Sequence, residues 1–291
     1  MSLKPWILAA RPKTLPAAIA PVIVATALAQ HHDTLQANAA LWCLCFALLI
    51  QIATNYANDY FDFQKGTDNA NRKGPARAVA QGWVSPRAMM FATIGVLLLA
   101  LVVGLQLVQF GGIHLIVVGV LSMLFAVWYT GGPFPLAYLG LGDLFVLIFF
   151  GWVAVMYSYF VQAGDHHWHA FHLGTAVGCL SVNLLLVNNY RDYDNDRASG
   201  KHTTVVRFGL RYGRWQYRAA LSAAALSTAC IAWQERNTLL LLSTLPVLAG
   251  FRLAEQLRQA ETLDSFQVLL KQTAAILLSY AVLVSGLLIL L

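Results

Sequence analysis

Apolar positions in this chain gather into runs of about twenty residues, the length an α-helix needs to cross the hydrocarbon core of a bilayer. Gly111-Gly112, the Gly131-Gly132-Pro133 turn and the polar stretch from Asp165 to His169 punctuate the runs. The pattern predicts about nine spans, over 14–30, 38–60, 87–109, 112–130, 142–163, 170–190, 215–233, 238–254 and 268–290. The expected fold class is an all-α, polytopic membrane bundle forming a single domain over residues 1–291.

Composition agrees. Of 291 residues, 58% are hydrophobic and 11% charged, against about 25% charged in soluble domains. Lys4, Arg11 and Lys13 before an apolar stretch ending Ala27-Leu28-Ala29 imitate a cleavable secretory signal. Pro16 and Pro21 inside that stretch, and the many spans after it, favour a retained first helix. Cys43, Cys45, Cys179 and Cys230 sit in apolar runs without metal-type spacing and read as small buried hydrophobes.

Charge sets orientation. With the N-terminus cytoplasmic, nine spans place every Lys and Arg except Arg236 on the cytoplasmic side. The net charge of +6 therefore reads as topology in a plasma (inner) membrane, with lipid as the surroundings and no nucleic-acid partner. Two longer polar connections, about 62–86 and 191–214, fall on that cytoplasmic side and are expected to lie over a functional site.

Thirteen Asp and Glu occur, and Asp59, Asp62, Asp68, Asp192, Asp194 and Asp196 lie at or just after the cytoplasmic ends of the second and sixth spans. One offset superposes Asn55 on Asn188 and Asp59 on Asp192, so Asn-x-x-x-Asp occurs twice, as in a duplicated four-helix unit. Helical spacing puts Asp59 with Asp62 and Asp192 with Asp196 on shared faces, each Asn one turn deeper; Asp194 should point away. Opposed across a bundle, these carboxylates would repel one another. Mg²⁺, which takes one or two carboxylates plus substrate phosphates, removes the conflict. A lone acid pair at a helix end is usually a solvated turn; the paired arrangement points to a site.

Basic residues follow both clusters: Lys65, Arg72, Lys73 and Arg77, then Arg191, Arg197, Lys201 and Arg207. Positive-inside topology accounts for most of them. Arg72 and Lys201, in turn-like segments beside the acids, are the favoured phosphate contacts.

These motifs resemble the UbiA superfamily of intramembrane prenyltransferases. Asn58-Asp59-x-x-Asp62 and Asp192-x-x-x-Asp196 are similar to its paired acid motifs. Arg11-Pro-Lys-Thr-Leu-Pro16, Gly74-Pro75-x-Arg77, Gly140-Leu-Gly-Asp143 and Asn189-x-Arg191-Asp192 through Gly200-Lys201 resemble its MenA branch, the 1,4-dihydroxy-2-naphthoate polyprenyltransferases of menaquinone synthesis. The resemblance implies Mg²⁺ on Asp59, Asp62, Asp192 and Asp196, with Asp68 as a further ligand. It also implies polyprenyl diphosphate and 1,4-dihydroxy-2-naphthoate as substrates, and demethylmenaquinol after loss of the ring carboxylate. Asn55, Asn188, Arg72, Lys201, Lys65, Arg207 and Tyr129 are the implied substrate contacts, and Tyr56, Tyr60, Tyr129 and Tyr190 are aromatic candidates for steadying an allylic cation, each of which reads equally as an interfacial belt tyrosine. In one departure, the broader pattern expects a third acid where Gly66 stands. Asp143 reads equally as a helix N-cap or a group near the substrate.

Two alternatives stay open on sequence alone. One is a UbiA-type enzyme with another acceptor, such as 4-hydroxybenzoate or homogentisate. The other is an ion-coupled transporter, against which stands the clustering of acids at one face rather than the midplane. Homo-oligomerisation is also left open. His166-His167-Trp168-His169, with His172, His31 and His32, forms an outer-face group with metal-capturing spacing, for which a polar interfacial loop is the simpler reading.

Overall fold

Helix boundaries follow the punctuation of the sequence. The computed structural model describes residues 3–68 and 74–290, and no strand occurs among them. A short α1 (Lys4–Ala10) leads through a 3-10 turn, Pro12–Thr14, into α2 (Pro16–His31). The two arms meet at 51°. The bend is built by Arg11, left-handed at φ 52°, and by prolines that can begin helices but not continue them.

Next come α3 (Ala37–Gln64), α4 (Pro86–Gly111), α5 (His114–Trp128), α6 (Gly142–Ala163) and α7 (Trp168–Arg191). Two short helices, α8 (Tyr193–Ala198) and α9 (Thr204–Phe208), occupy the second polar connection. Finally α10 (Leu210–Gln234), α11 (Leu245–Gln259, entered through the 3-10 turn Thr238–Thr244) and α12 (Leu263–Leu290) close the bundle. Starts carry recognisable signals: Ser85 Oγ accepts the Ala88 N–H at 3.2 Å before α4, whose first residue is Pro86.

All nine predicted segments are helical, but length and composition qualify fewer as spans. Six described helices pass by themselves, and a seventh if the bent α1–α2 pair is one crossing. The fourth predicted span, α5, has only 15 residues. The seventh, α10, is diluted by Arg211, Arg214, Arg218 and small residues. The chain is a multi-pass membrane protein whose outward surface is apolar: Phe91, Ile94, Leu98, Val102 and Leu105 form an exposed stripe along α4.

α7 is the most buried of the spanning helices, and the main core joins it to α2, α6, α10, α11 and α12. Contact between α6 and α7 is unusually close. The middle of α6, Leu147–Val153, winds as a π-helix, and a Cβ on Gly151 would lie 2.5 Å from the Gly174 carbonyl oxygen. Small residues on both helices permit this approach. The cysteines are all free; Cys43 and Cys179 are buried as expected, whereas Cys45 is half-buried and Cys230 is exposed on the outside of α10.

Candidate active site

The two acid clusters meet at one end of the bundle because α3 and α7 point the same way, but neither cluster is a plain helix face. α3 stops at Gln64, and Gly66 adopts φ +70°. That left-handed turn folds the chain back, so that the Thr67 and Asp68 N–H groups donate to the Asp62 carbonyl at 2.9 and 3.3 Å. A side chain would be strained there, which gives a physical reason for glycine where a third acid was expected. Asp68 instead returns beside Asp62, and both are buried.

The second cluster differs from the expected single helical face. α7 ends at Arg191, Asp192 lies in the break, and Asp196 belongs to α8. The Asp196 N–H still donates to the Asp192 carbonyl at 2.8 Å, so the turn continues across the break. Arg191 grips Asp192 with Nε and Nη2, both at 2.7 Å. Asp194 is exposed, as its place in the helical period predicts. Asn195 Nδ2 donates to the Thr67 carbonyl at 2.9 Å, tying the two clusters together.

A cavity of about 440 Å³ lies between them. Its polar wall includes Asp62, Asp68, Asp192, Asp196, Asn55, Asn188, Lys201, Arg77, Arg11 and Tyr129. Deeper along the helices the wall becomes apolar and aromatic, with Phe46, Phe125, Phe145, Phe149 and Tyr157. Phe145 and Phe149 stack at 6.0 Å, and Phe125 packs on them at 4.9 and 5.3 Å. The π-helical segment of α6 supplies Phe149, Phe150 and Val153 to this wall.

Lys201 reaches the polar end from the loop after α8. Its ammonium lies 4.0 Å from Asp196 Oδ1 and 5.5 Å from the centre of the Tyr138 ring. Burial alone would lower its pKa; Asp62, Asp196, Asp192 and Asp68 together outweigh that and raise it. Tyr138 donates its hydroxyl to Asp62 Oδ1 at 2.8 Å. Burial first and then the Asp62 charge push its phenol well above the usual range, so it remains a donor.

Several expected contacts lie elsewhere. Asp59 does not line the cavity; its carboxylate accepts the Ala78 and Val79 N–H groups at 3.1 and 3.4 Å, anchoring the turn before α4. Lys65 donates to the Thr130 carbonyl at 2.5 Å and lies 4.0 Å above the Tyr138 ring. Arg207 donates to the His202 and Leu139 carbonyls at 3.2 and 2.9 Å, clasping two loops. Asn55 lines the cavity yet also braces the N-terminal elbow, donating to Ala10 O at 2.9 Å and Thr14 Oγ1 at 3.2 Å. Asn188 Nδ2 donates to Leu184 O at 3.1 Å. Tyr56 and Tyr190 are directed to Trp6 O and Arg214 rather than the cavity; Tyr60 packs on Phe61. Arg72 lies outside the described residues.

Asp143 is not the N-cap of α6, which is Leu141; it sits in the first turn and accepts the Thr204 hydroxyl. Two participants escaped sequence reasoning. Arg11 was visible in the Arg11–Pro16 motif, but its arrival at the cavity wall depends on the left-handed elbow. Tyr138 carried no local signal: it reaches Asp62 only because the 131–141 loop folds over the end of α3.

Comparison with known proteins decides the kind of site. The UbiA prenyltransferase family matches residues 18–274. The chain belongs to this family. It is a prenyltransferase, which sets the transporter alternative aside. The chain is 40% identical over 227 residues to 1,4-dihydroxy-2-naphthoate octaprenyltransferase of Escherichia coli K12, covering 76% of this chain and 73% of that protein. The protein of that name in Mycobacterium tuberculosis is 38% identical, with 78% and 77% covered. Among solved structures, a UbiA homologue from Aeropyrum pernix K1 superposes with a TM-score of 0.72 at 14% identity, covering 94% of this chain and 98% of that one. A homologue from Archaeoglobus fulgidus bound to DMAPP and Mg²⁺ gives 0.64 at 14% identity, covering 96% and 99%. At these identities the structural likeness shows the helical fold.

Proposed function

We propose that this UbiA-family prenyltransferase moves a polyprenyl group from polyprenyl diphosphate to 1,4-dihydroxy-2-naphthoate, with loss of the ring carboxylate, giving demethylmenaquinol. One observation carries the reading: a single cavity joins a carboxylate-rich polar end to an aromatic and aliphatic interior. The names of the relatives at 40% and 38% identity support the acceptor. The distribution of Lys and Arg supports a cytoplasmic N-terminus and a site facing the cytoplasm of a plasma (inner) membrane.

The donor set fits a hard divalent cation. Asp62, Asp68, Asp192 and Asp196 offer oxygens around one polar space, the chemistry Mg²⁺ selects. Asp59 does not line this space; it is proposed as a fifth member at its edge, since each of its oxygens keeps a lone pair beyond its backbone bond. Mg²⁺, when bound, supplies charge neutralisation for the diphosphate leaving group.

The chain's own residues then have distinct tasks. Lys201 contributes a fixed positive charge where diphosphate charge grows as the allylic C–O bond breaks. Tyr138 and Arg191 hold the Asp62 and Asp192 carboxylates in place. Arg72 is proposed as a phosphate contact from its place in the sequence after the first acid cluster, and Lys65 and Arg207 as braces of the loops around the site. Asn55 and Asn188 line the step from polar to apolar wall. The aromatic walls exclude water from the allylic cation, and Tyr129 presents a ring at the polar border. A cavity of about 440 Å³ admits the head of the donor; the remaining tail lies against the bilayer.

The test is turnover by purified protein given Mg²⁺, a polyprenyl diphosphate and one aromatic acceptor at a time. Prenylated product and CO₂ are expected with dihydroxynaphthoate. Turnover of 4-hydroxybenzoate with none of dihydroxynaphthoate would overturn the acceptor and leave prenyl transfer standing.

A further inference from the structure

The opposite end of the bundle holds a second cluster of ligating groups. His32 follows the last turn of α2, His167 precedes α7 and His169 lies in its first turn. One donor atom from each lies within 4.8 Å of the others. α7, with 24 residues, separates them from the acid site by about 36 Å at 1.5 Å per residue.

The surroundings resemble those of a built metal site. His32 Nδ1 is 2.7 Å from the Tyr159 hydroxyl. His169 Nδ1 is 3.1 Å from Glu235 Oε1. Metal-bound imidazoles commonly engage their other nitrogen in this way, with a carboxylate or another oxygen fixing tautomer and ring orientation. In His32 this contact takes Nδ1 and leaves Nε2 as donor; in His169 the Nδ1–Glu235 contact is at ion-pair distance but outside hydrogen-bonding geometry, and ring rotation on metal binding would complete it. His167 differs: its Nδ1 accepts the His169 N–H at 3.2 Å, so metal ligation through Nδ1 replaces a long cap bond.

We propose that His32, His167 and His169 form a binding site for a borderline transition-metal cation of the Zn²⁺ class, with Glu235 orienting His169 and a water completing the shell. Imidazole nitrogens select zinc, copper or nickel over Mg²⁺, which prefers oxygen. Zn–N bonds of about 2.0–2.1 Å put tetrahedral ligands about 3.4 Å apart, so side-chain rotation from the present separations suffices. The ligands come from the ends of α2 and α7, and Glu235 caps α10. Occupancy therefore staples three helices that sequence keeps far apart, and it stabilises the folded bundle by mass action.

The test uses the full chain purified in detergent without a histidine tag, stripped with chelator, kept in Mg²⁺ and titrated with zinc chloride. Calorimetry and metal analysis are expected to give one zinc per chain, with a zinc-dependent rise in thermal midpoint. Glu235→Gln, remote from the acid site, weakens binding about 10–100-fold. His167→Gln and His169→Gln each weaken it at least as much, and His172→Gln leaves it unchanged. Absence of stoichiometric zinc, or equal zinc affinity in wild type, Glu235→Gln and His167→Gln, would overturn the site. The two half-buried positions keep the test informative if His169→Gln fails to fold.

Discussion

The Tyr138 hydroxyl donates to Asp62 Oδ1 at 2.8 Å, while Thr67 Oγ1 lies 2.6 Å from the same phenolic oxygen. A loop tyrosine thus fixes the carboxylate that ends α3, and its ring lies beneath Lys65 and Lys201. Tyr138→Phe keeps the ring and removes the hydrogen bond. A hydrogen bond to a charged group contributes about 1.5–3 kcal/mol, so kcat/KM should fall about tenfold or more, with a raised Mg²⁺ requirement. Steady-state rates across a Mg²⁺ titration check this; an unchanged half-saturating concentration would count against the positioning role.

Asp192 is held by both arms of Arg191, and both residues are buried. Asp192→Ala strands the guanidinium, and breaking a buried pair in this way costs about 3–5 kcal/mol. Asp196→Asn leaves that pair intact. Both variants should lose at least about 100-fold in kcat, as removal of one electrostatic contact commonly does. Only Asp192→Ala should show a clearly lower thermal midpoint. Comparable melting of the two would show that the Arg191 pair is not a structural support.

Lys201 has a folded-state pKa raised above its unfolded value, because the four surrounding carboxylates outweigh burial. Its stabilisation is therefore complete below the unfolded pKa of about 10.4 and is lost only as pH rises through the still higher folded value. Between about pH 6 and 9 the charge does not change. Lys201→Gln should accordingly lower prenyl transfer about 100-fold at every pH in that range without reshaping the profile. A pH–rate profile with an alkaline limb below 9 that vanishes in the variant would contradict this.

Gly151 packs directly on Gly174 and Gly178, where an added Cβ would come within 2.5 Å of a carbonyl oxygen and 2.9 Å of a Cα. Both obstacles are backbone. Gly151→Ala should force α6 away from α7, with an overpacking cost of about 1–3 kcal/mol read as a lowered midpoint in detergent. Gly286, which has open space around its Cβ position, is the control: Gly286→Ala should not lower the midpoint.

Gly119 lies on the apolar wall, ten residues before Tyr129 and so about 15 Å deeper along the helix direction. A Cβ there would first meet Phe46, at 3.8 Å. Gly119→Phe should fill the interior and shift preference toward shorter prenyl diphosphates. Competition between short and long donors measures the shift; an unchanged product ratio would show that the donor's first units do not run along this wall.

Much of this protein is determined by sequence alone. Apolar runs near bilayer length can bury their backbone polar groups only as helices, so nine helical segments were legible. The spacing of Asp59 with Asp62 and of Asp192 with Asp196 marked both helix ends as chemical. Periodicity also turned Asp194 outward, where it is found.

Tertiary structure decided which of those acids face the cavity. A helical period assumes an unbroken helix, whereas α3 reverses at Gly66 and α7 breaks at Asp192. Those departures bring Asp68 in, and the 75–84 segment draws Asp59 onto backbone N–H groups. Tyr138 and Lys201 reach Asp62 and Asp196 across loops whose paths depend on contacts far apart in sequence. Topology put His32 and His169 on one outer face, but only the packing of three helix ends brings them to one point with Glu235.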